Sequence, residues 1–227
     1  GYPDREGWEE FWPADVQVIG KDILRFHAGI WPVMLLGLGL PLPKTLLVHG
    51  FVNVGGAKMS KTVGNVVDPM EIIRDYGVDA FRYYFSRHIP TQDDGDFTWE
   101  KFEKAYNGEL GNDLGNLVQR VAAMIGRYQA GVVGEIPPAE HDLEPYRQAM
   151  SQLKFDQAID EIWVSVRALN QYIDEVKPWE IAKQRDKDPD AELHLAEVLS
   201  HAVGTLIEVA DMLAPFMPDT AQAIQYV

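Results

Sequence analysis

The sequence predicts an α/β unit with a parallel sheet, followed by an all-α helix bundle. Three observations carry this: a strand–helix–strand alternation over the first seventy residues, a lysine-bearing loop bounded by glycines, and apolar residues at helical spacing from Thr98 onward.

The α/β unit comes first. Val16-Gln17-Val18-Ile19-Gly20 is a short β-rich run that ends on glycine. An apolar helical pattern follows from Asp22 to about Leu38, and Thr45 to Val52 is a buried-strand pattern introduced by Pro41 and Pro43. A strand–helix–strand order of this length reads as a βαβ unit. Two parallel strands need cover on both faces and do not form a stable sheet alone. Further strands are therefore expected upstream. The polar opening Gly1-Tyr2-Pro3-Asp4-Arg5-Glu6 carries no initiator methionine and no apolar signal segment, and reads as part of a longer protein.

After Pro69 the texture changes. Met70 to Tyr76 reads as a short helix, Gly77 punctuates it, and Asp79 to Arg87 reads as a second helix with Asp79 as N-cap. Pro90 to Asp96 reads as a turn-rich linker. The first bundle stripe begins with Trp99, Phe102, Ala105 and Tyr106 and continues through Leu110, Leu114, Leu117, Val118, Val121 and Ile125. A second runs from Phe155 through Ile162 and Trp163 to Ile173, and a third from Leu195 through Leu199 and Leu206 to Leu213. Loops are expected near 131–139 and 186–190, and residues 126–153 read only as loop and short helix.

Charge and composition narrow the function classes. Residues 1–90 hold 9 Lys/Arg and 10 Asp/Glu, which leaves 11 basic and 25 acidic of the totals 20 and 35 for the remainder. A general positive field for nucleic acid is thus excluded from the second half, and any RNA contact there must use a local patch. There is no cysteine, so neither a disulfide framework nor a thiolate metal site is available; this fits a reducing cytoplasm. The longest apolar run, Trp31 to Pro43, is shorter than the roughly 20 residues a bilayer requires, so no membrane partner is expected.

The segment Gly55-Gly56-Ala57-Lys58-Met59-Ser60-Lys61-Thr62-Val63-Gly64-Asn65-Val66-Val67-Asp68-Pro69 carries the chemistry. Glycines on both sides let the loop move, and two ammonium groups three residues apart suit a reaction that builds charge on a pyrophosphate leaving group. The segment resembles the KMSKS signature of class I aminoacyl-tRNA synthetases, with Thr62 in place of the usual second serine. The resemblance implies that Lys61 stabilises the transition state of amino-acid activation, that Lys58 assists, and that Lys58, Ser60 and Lys61 bind ATP, which enters with Mg2+ as substrate. No metal site is expected within the chain.

The stretch from Trp12-Pro13-Ala14-Asp15 through Gly20-Lys21-Asp22-Ile23 to His27 and Trp31-Pro32 resembles the methionyl-tRNA synthetases in particular. In a regular helix Ile23, His27 and Trp31 fall at i, i+4 and i+8 and share a face. An apolar wall with an imidazole and an indole suits a flexible thioether. The resemblance implies that these three line the methionine pocket and that Gly20 and Asp22 lie near the ATP ribose.

Farther on, Asn112, Asn116 and Arg120 fall on one stripe, and Trp179 follows Pro178 at the end of the second long helix. Polar groups on a helix face can read splayed bases, and an indole at a helix junction can stack on one. By resemblance, Asn116, Arg120 and Trp179 recognise the CAU anticodon of tRNA. The implied organisation is 1–72 as the C-terminal part of a Rossmann-type catalytic domain, 73–104 as a connecting, stem-contact-like helical segment, and 105–227 as an anticodon-binding helix bundle. The implied function is methionine–tRNA ligase, with methionine, ATP and tRNA as partners and the missing N-terminal half of the enzyme as another. Two alternatives stay open: a class I synthetase for another aliphatic amino acid, and a non-catalytic tRNA-binding or assembly module. The His-x-Gly-His pattern of the class does not occur in this sequence, nor does the family's zinc-bearing insertion. The 227-residue chain alone is therefore expected to give no methionine-dependent pyrophosphate exchange; turnover in that assay would refute this.

Overall fold

The computed structural model describes residues 6–60, 64–137 and 142–226. Contacts divide the chain into two compact units, Gly1–Val66 with Ile89–Phe97, and Val67–His88 with Thr98–Val227.

In the first unit, β1 (Val16–Gly20) pairs in parallel with β2 (Thr45–His49), Val16 opposite Thr45 and Gly20 opposite His49. Alternation buries Ile19 and Leu47 and leaves Val18 on the outer face. The connection between these strands is not the single helix that the apolar pattern predicts from Asp22. It is a 3-10 turn (Lys21–Ile23), a π-helical turn (Phe26–Ile30) and then α1 (Trp31–Gly37). Pro32 supplies the reason: it has no N–H to donate to the carbonyl one turn back, and its ring would clash with that carbonyl, so the preceding turn widens.

The second strand run is also shorter than predicted, because the chain leaves the first sheet at Gly50. Val52–Val54 (β3) instead joins a second sheet, antiparallel to β4 (Ala57–Lys58). The two-residue turn between them holds Gly55 at φ 61° and Gly56 at φ 77°, left-handed values that glycine adopts without steric cost. On its other side β3 pairs in parallel with β5 (Gly95–Phe97), Asn53 opposite Asp96. The turn-rich linker predicted over 90–96 is thus partly a strand. Composition hid it, since its aspartates serve tertiary hydrogen bonds described below.

The second unit is helical. The Asp68 carboxylate accepts from the Met70 amide at 2.9 Å and caps α2 (Pro69–Tyr76). The next helix, α3 (Val78–Arg87), starts at Gly77 with no side-chain cap. Asp79, the expected N-cap, lies inside it and accepts hydrogen bonds from the Thr220 amide and hydroxyl at 2.6 and 2.7 Å. Thr98 caps α4 (Trp99–Ala105) through the Lys101 amide. A ten-residue π-helical segment, Tyr106–Gly115, leads into α5 (Asn116–Tyr128). After it come α6 (Glu144–Ser151), α7 (Phe155–Val176), α8 (Pro178–Ala182), α9 (Pro189–Leu213) and α10 (Pro218–Gln225).

The predicted stripes meet in one core. Leu117, Val121 and Ile125 of α5, Ile159, Ile162, Val166 and Ile173 of α7, and Leu195, Leu199 and Leu213 of α9 are all buried there. Each such side chain contributes roughly 1.5–3 kcal/mol on leaving water. By length and composition α9 could also cross a membrane, yet its apolar positions form this core.

A polar cluster sits at the edge of the core. Glu109 accepts hydrogen bonds from the Tyr83 hydroxyl and from His88 Nε2, the latter at 2.8 Å. Arg87, whose side chain is only 10% exposed, lies 4.5 Å from the Trp163 ring centre and pairs with Asp160 at 3.1 Å. Burial pushes the Glu109 carboxyl up, but its His88 and Tyr83 hydrogen bonds outweigh burial and hold it below the usual carboxylate value. Burial pushes the Tyr83 phenol well above its ordinary value. Trp163 is fully buried between this cluster and the core. Trp163→Ala should therefore cost about 3–5 kcal/mol, measured by urea unfolding of the helical circular-dichroism signal; a loss under about 1 kcal/mol would contradict this packing.

Candidate functional site

The first unit gathers its chemistry at the carboxyl ends of β1 and β2, the edge where open parallel sheets bind ligands. Gly20 ends β1 directly opposite His49. A Cβ added at Gly20 would stand 2.7 Å from Asp22 Oδ1 and 3.7 Å from His49 Cε1, so glycine here lets a carboxylate and an imidazole approach one backbone. The His49 ring is held by a 2.9 Å hydrogen bond to the Gly50 carbonyl.

The lysine loop grows out of the second sheet. β4 carries Lys58, whose ammonium rests 4.5 Å from the centre of the Phe51 ring. Lys21, just past β1, lies 4.7 Å from the centre of that same ring. Lys21 also bonds both oxygens of Asp94, at 2.6 and 2.7 Å. Asp94 accepts the Phe51 amide at 2.8 Å as well. The Lys21 and Phe51 donors hold the Asp94 carboxyl below its ordinary value. Asp96 accepts the Gly56 amide at 2.7 Å, so β5 grips the hairpin tip through a side chain as well as through strand pairing.

Beyond Lys58 the loop is closed by Asn65. Its side-chain oxygen accepts the Ser60 amide at 2.9 Å and its nitrogen donates to the Lys58 carbonyl at 3.3 Å. The Gly64 amide donates to the Ser60 carbonyl at 3.1 Å. Lys61, the residue expected to carry most of the chemistry, lies outside the described residues, as does Thr62. Phe51, His49, Asn65, Asp94 and Asp96 were not among the residues singled out from the sequence as functional. Asn65 had a local signal, a turn-favouring residue after glycine. The two aspartates had none, since their partners lie about forty residues away.

Of the expected methionine-pocket residues, the structure joins Ile23 and His27: the imidazole Nδ1 bonds the Ile23 carbonyl at 3.1 Å. Ile23 is 39% exposed and His27 half-buried. The π turn between His27 and Trp31 departs from the regular spacing assumed for all three. Trp31 packs edge-on against Trp12 at 6.2 Å, and its indole N–H is buried without a partner.

In the helical unit, Asn116 opens α5 and Arg120 follows one turn later. The Asn116 side chain reaches Asn112 at 3.5 Å, and Arg120 pairs with Asp174 of α7 at 2.6 Å. Lys177, at φ 52°, ends α7, and the buried Pro178 begins α8, which turns Trp179 back toward the bundle. The indole is half-buried against the core and lines a cavity, so it is less exposed than a free-standing platform would be.

The family model described as tRNA synthetases class I (M) matches residues 2–122. With this fold, that match defines the class, and the chain belongs to the class I tRNA synthetases (M). Within the class it is similar to methionine enzymes. It is 44% identical to the Methionine–tRNA ligase of Clostridium acetobutylicum, over 99% of this chain and 36% of that protein. It is 43% identical to that of Streptomyces coelicolor, over 99% of this chain and 44% of that protein. Among solved structures, the Mycobacterium tuberculosis methionyl-tRNA synthetase in complex with methionyl-adenylate superposes with a TM-score of 0.90 at 33% identity, covering 99% of this chain and 46% of that one. The chain thus spans less than half the length of these relatives.

The Asp94 pair yields a pH expectation. A depressed carboxyl stabilises its contacts above the unfolded value and loses that contribution as pH falls through the folded one. An NMR titration should place the Asp94 midpoint below the ordinary 3.8. Lys21→Met should move it upward, and an unchanged midpoint would remove Lys21 as the cause.

Proposed function

We propose that the protein containing this chain is a methionine–tRNA ligase, which joins methionine to ATP, releases pyrophosphate and passes the aminoacyl group to tRNA. The observation that carries it is a glycine-bounded loop bearing Lys58 and Lys61, in a chain similar over 99% of its length to methionine enzymes. In this reading residues 1–72 are the C-terminal part of a Rossmann-type catalytic domain, 73–104 a connecting segment and 105–227 an anticodon-binding bundle. The protein works in the cytoplasm.

The chemistry asked of the loop is electrostatic. As the methionine carboxylate attacks the α-phosphate of ATP, charge moves onto the departing pyrophosphate. Lys61 and Lys58 meet that charge, ATP arriving with Mg2+ that shares it. The Ser60 amide is occupied by Asn65 and must release that bond before it can meet a phosphate. Lys58 must leave the Phe51 face to reach a phosphate; such exposed cation–π contacts are worth about 0.5–1 kcal/mol, small beside pairing with a phosphate. Gly20 and Asp22 sit at the strand ends where a ribose would lie, the Asp22 carboxylate available to accept its hydroxyls. Ile23, His27 and Trp31 form the methionine wall, and the unpartnered Trp31 N–H suits a wall completed by a ligand or by another part of the protein.

On the helical unit, Asn116 and Arg120 read the edges of the CAU anticodon and Trp179 stacks on a base. Arg120 shares its guanidinium with Asp174, which fixes the direction of its remaining donors.

The test uses the intact enzyme. Lys61→Ala should lower methionine-dependent ATP–pyrophosphate exchange by about 10²–10³-fold, the scale seen when one preorganised donor to developing charge is removed. Exchange at the wild-type rate would overturn the proposal.

A further inference from the structure

The helical unit encloses a cavity of about 590 Å³ among α3, the π-helical segment, α5 and α10. The space exists because Ala80, Gly115, Ala122 and Ala223 present little or no side chain to it. Leu110, Leu114, Val118 and Ile224 give it apolar walls, and Met217 adds a side chain that readily re-packs. Its volume falls within the range of roughly 300–1,000 Å³ typical of small-molecule sites. One wall is the π-helical segment itself, and widened turns of this kind recur at functional sites.

One polar atom in this cavity is unsatisfied. Asp79 Oδ2 takes both Thr220 donors, whereas Oδ1 is buried and, among the described residues, has no hydrogen-bond partner. A buried acceptor left in this state is costly, and in native proteins it calls for a reason. The arginine one turn along α3, Arg82, is turned instead to the Phe216 and Pro215 carbonyls, at 2.7 and 2.6 Å. No lysine, arginine or histidine is among the residues that line the cavity. Tyr76 and Tyr106 also line it, edge to face with ring centres 5.1 Å apart. The Tyr76 hydroxyl is committed to Glu103 at 3.3 Å, so its ring is what it offers a ligand.

We propose that this cavity binds a small molecule with an apolar or aromatic body and a single ammonium group. The carboxylate decides the sign. It can only accept when ionised, so it demands a donor, and a cationic donor makes the stronger bond. The tyrosine rings favour a cation through their π faces, and the apolar walls take the body of the ligand. The field of the unit agrees, since acidic residues beyond position 90 outnumber basic ones 25 to 11. A cation is drawn in and an anion is repelled. Occupancy ties α3 to α5 and α10 through one molecule and stabilises the helical unit by mass action. The site shares no lining residue with the cavity beside Trp179.

The test follows the Met217 methyl signal by NMR in the intact enzyme carrying isotope-labelled methionine methyls, the signal being assigned by its absence in Met217→Leu. Phenethylamine should shift that signal saturably, with a Kd of millimolar order, as expected of so small a ligand. Phenethyl alcohol, the same body with a neutral donor, should bind about tenfold more weakly. Phenylpropionate, the anion, should leave the signal unmoved. Asp79→Asn keeps an oxygen for Thr220 but places an amide donor where Oδ1 stands. It should weaken the amine by about ten- to hundredfold and the alcohol far less. Ala122→Leu, a change that suits a helix and fills the cavity, should abolish the shift while the helical circular-dichroism signal persists. A Met217 signal that the amine does not move would overturn the proposal. So would equal affinities for amine and alcohol, binding of the anion as tight as that of the amine, or wild-type binding by Asp79→Asn. Should Asp79→Asn unfold, the amine and alcohol compared on the unmodified enzyme decide: a preference for the amine supports the site, and equal binding removes it.

Discussion

The first unit depends on the capture of a distant segment by the edge of β3. A two-residue turn between strands of three and two residues is marginal in water. It is held because β5 pairs along β3 and because Asp96 takes the Gly56 amide. Asp94 does the same for the Phe51 amide while neutralising Lys21. The base of the hairpin is thereby fixed. Among the described residues, the loop beyond Lys58 carries short-range closures through Asn65 and Gly64, which can break without disturbing the sheet. A fixed base suits the proposed role of the loop, in which its lysines travel to phosphate.

In the second unit the corresponding constraint is the packing of α7 against α9, with Trp163 filling the corner toward α3. An Arg87 guanidinium over that indole and a carboxylate taking three donors seal the corner, though the Trp163 indole N–H is buried without a partner. Such a cluster is costly to bury and more costly to break, so it specifies one arrangement of α3, the π segment and α7. The residues proposed to meet RNA lie on helices anchored by this core, on a unit whose net charge repels phosphate. Any attraction there must be local.

Both candidate sites adjoin π-helical stretches, at Phe26–Ile30 and Tyr106–Gly115. Widened turns carry poorer hydrogen bonds and persist where packing or function holds them. In each stretch glycines lower helix propensity: Gly29 in the first, Gly108, Gly111 and Gly115 in the second. Pro32 adds its missing N–H to the first. These residues announce a weakened helix, but not the form it takes, so Ile23, His27 and Trp31 could be assigned to one short segment while their relative orientation could not.

By itself the sequence determined whatever depends on neighbours a few residues apart. The strand 16–20, the start of a strand at Thr45, the three apolar stripes of the bundle and the glycine-bounded lysine loop are all of this kind, because periodicity and backbone preference are local properties. Tertiary structure decided the rest. A strand emerged from a run of turn residues at 95–97 only because β3 offered unpaired backbone groups. Asp79 left its expected capping role because Thr220, far along the chain, presents two donors to it. Arg127, Tyr128, Lys183 and Arg185 came to line one cavity only when the end of α5 met the residues following α8, where Arg185 bonds the Tyr128 carbonyl. A hydrogen bond or charge cluster between distant residues leaves no periodic trace, since its partners become neighbours only after the chain has folded.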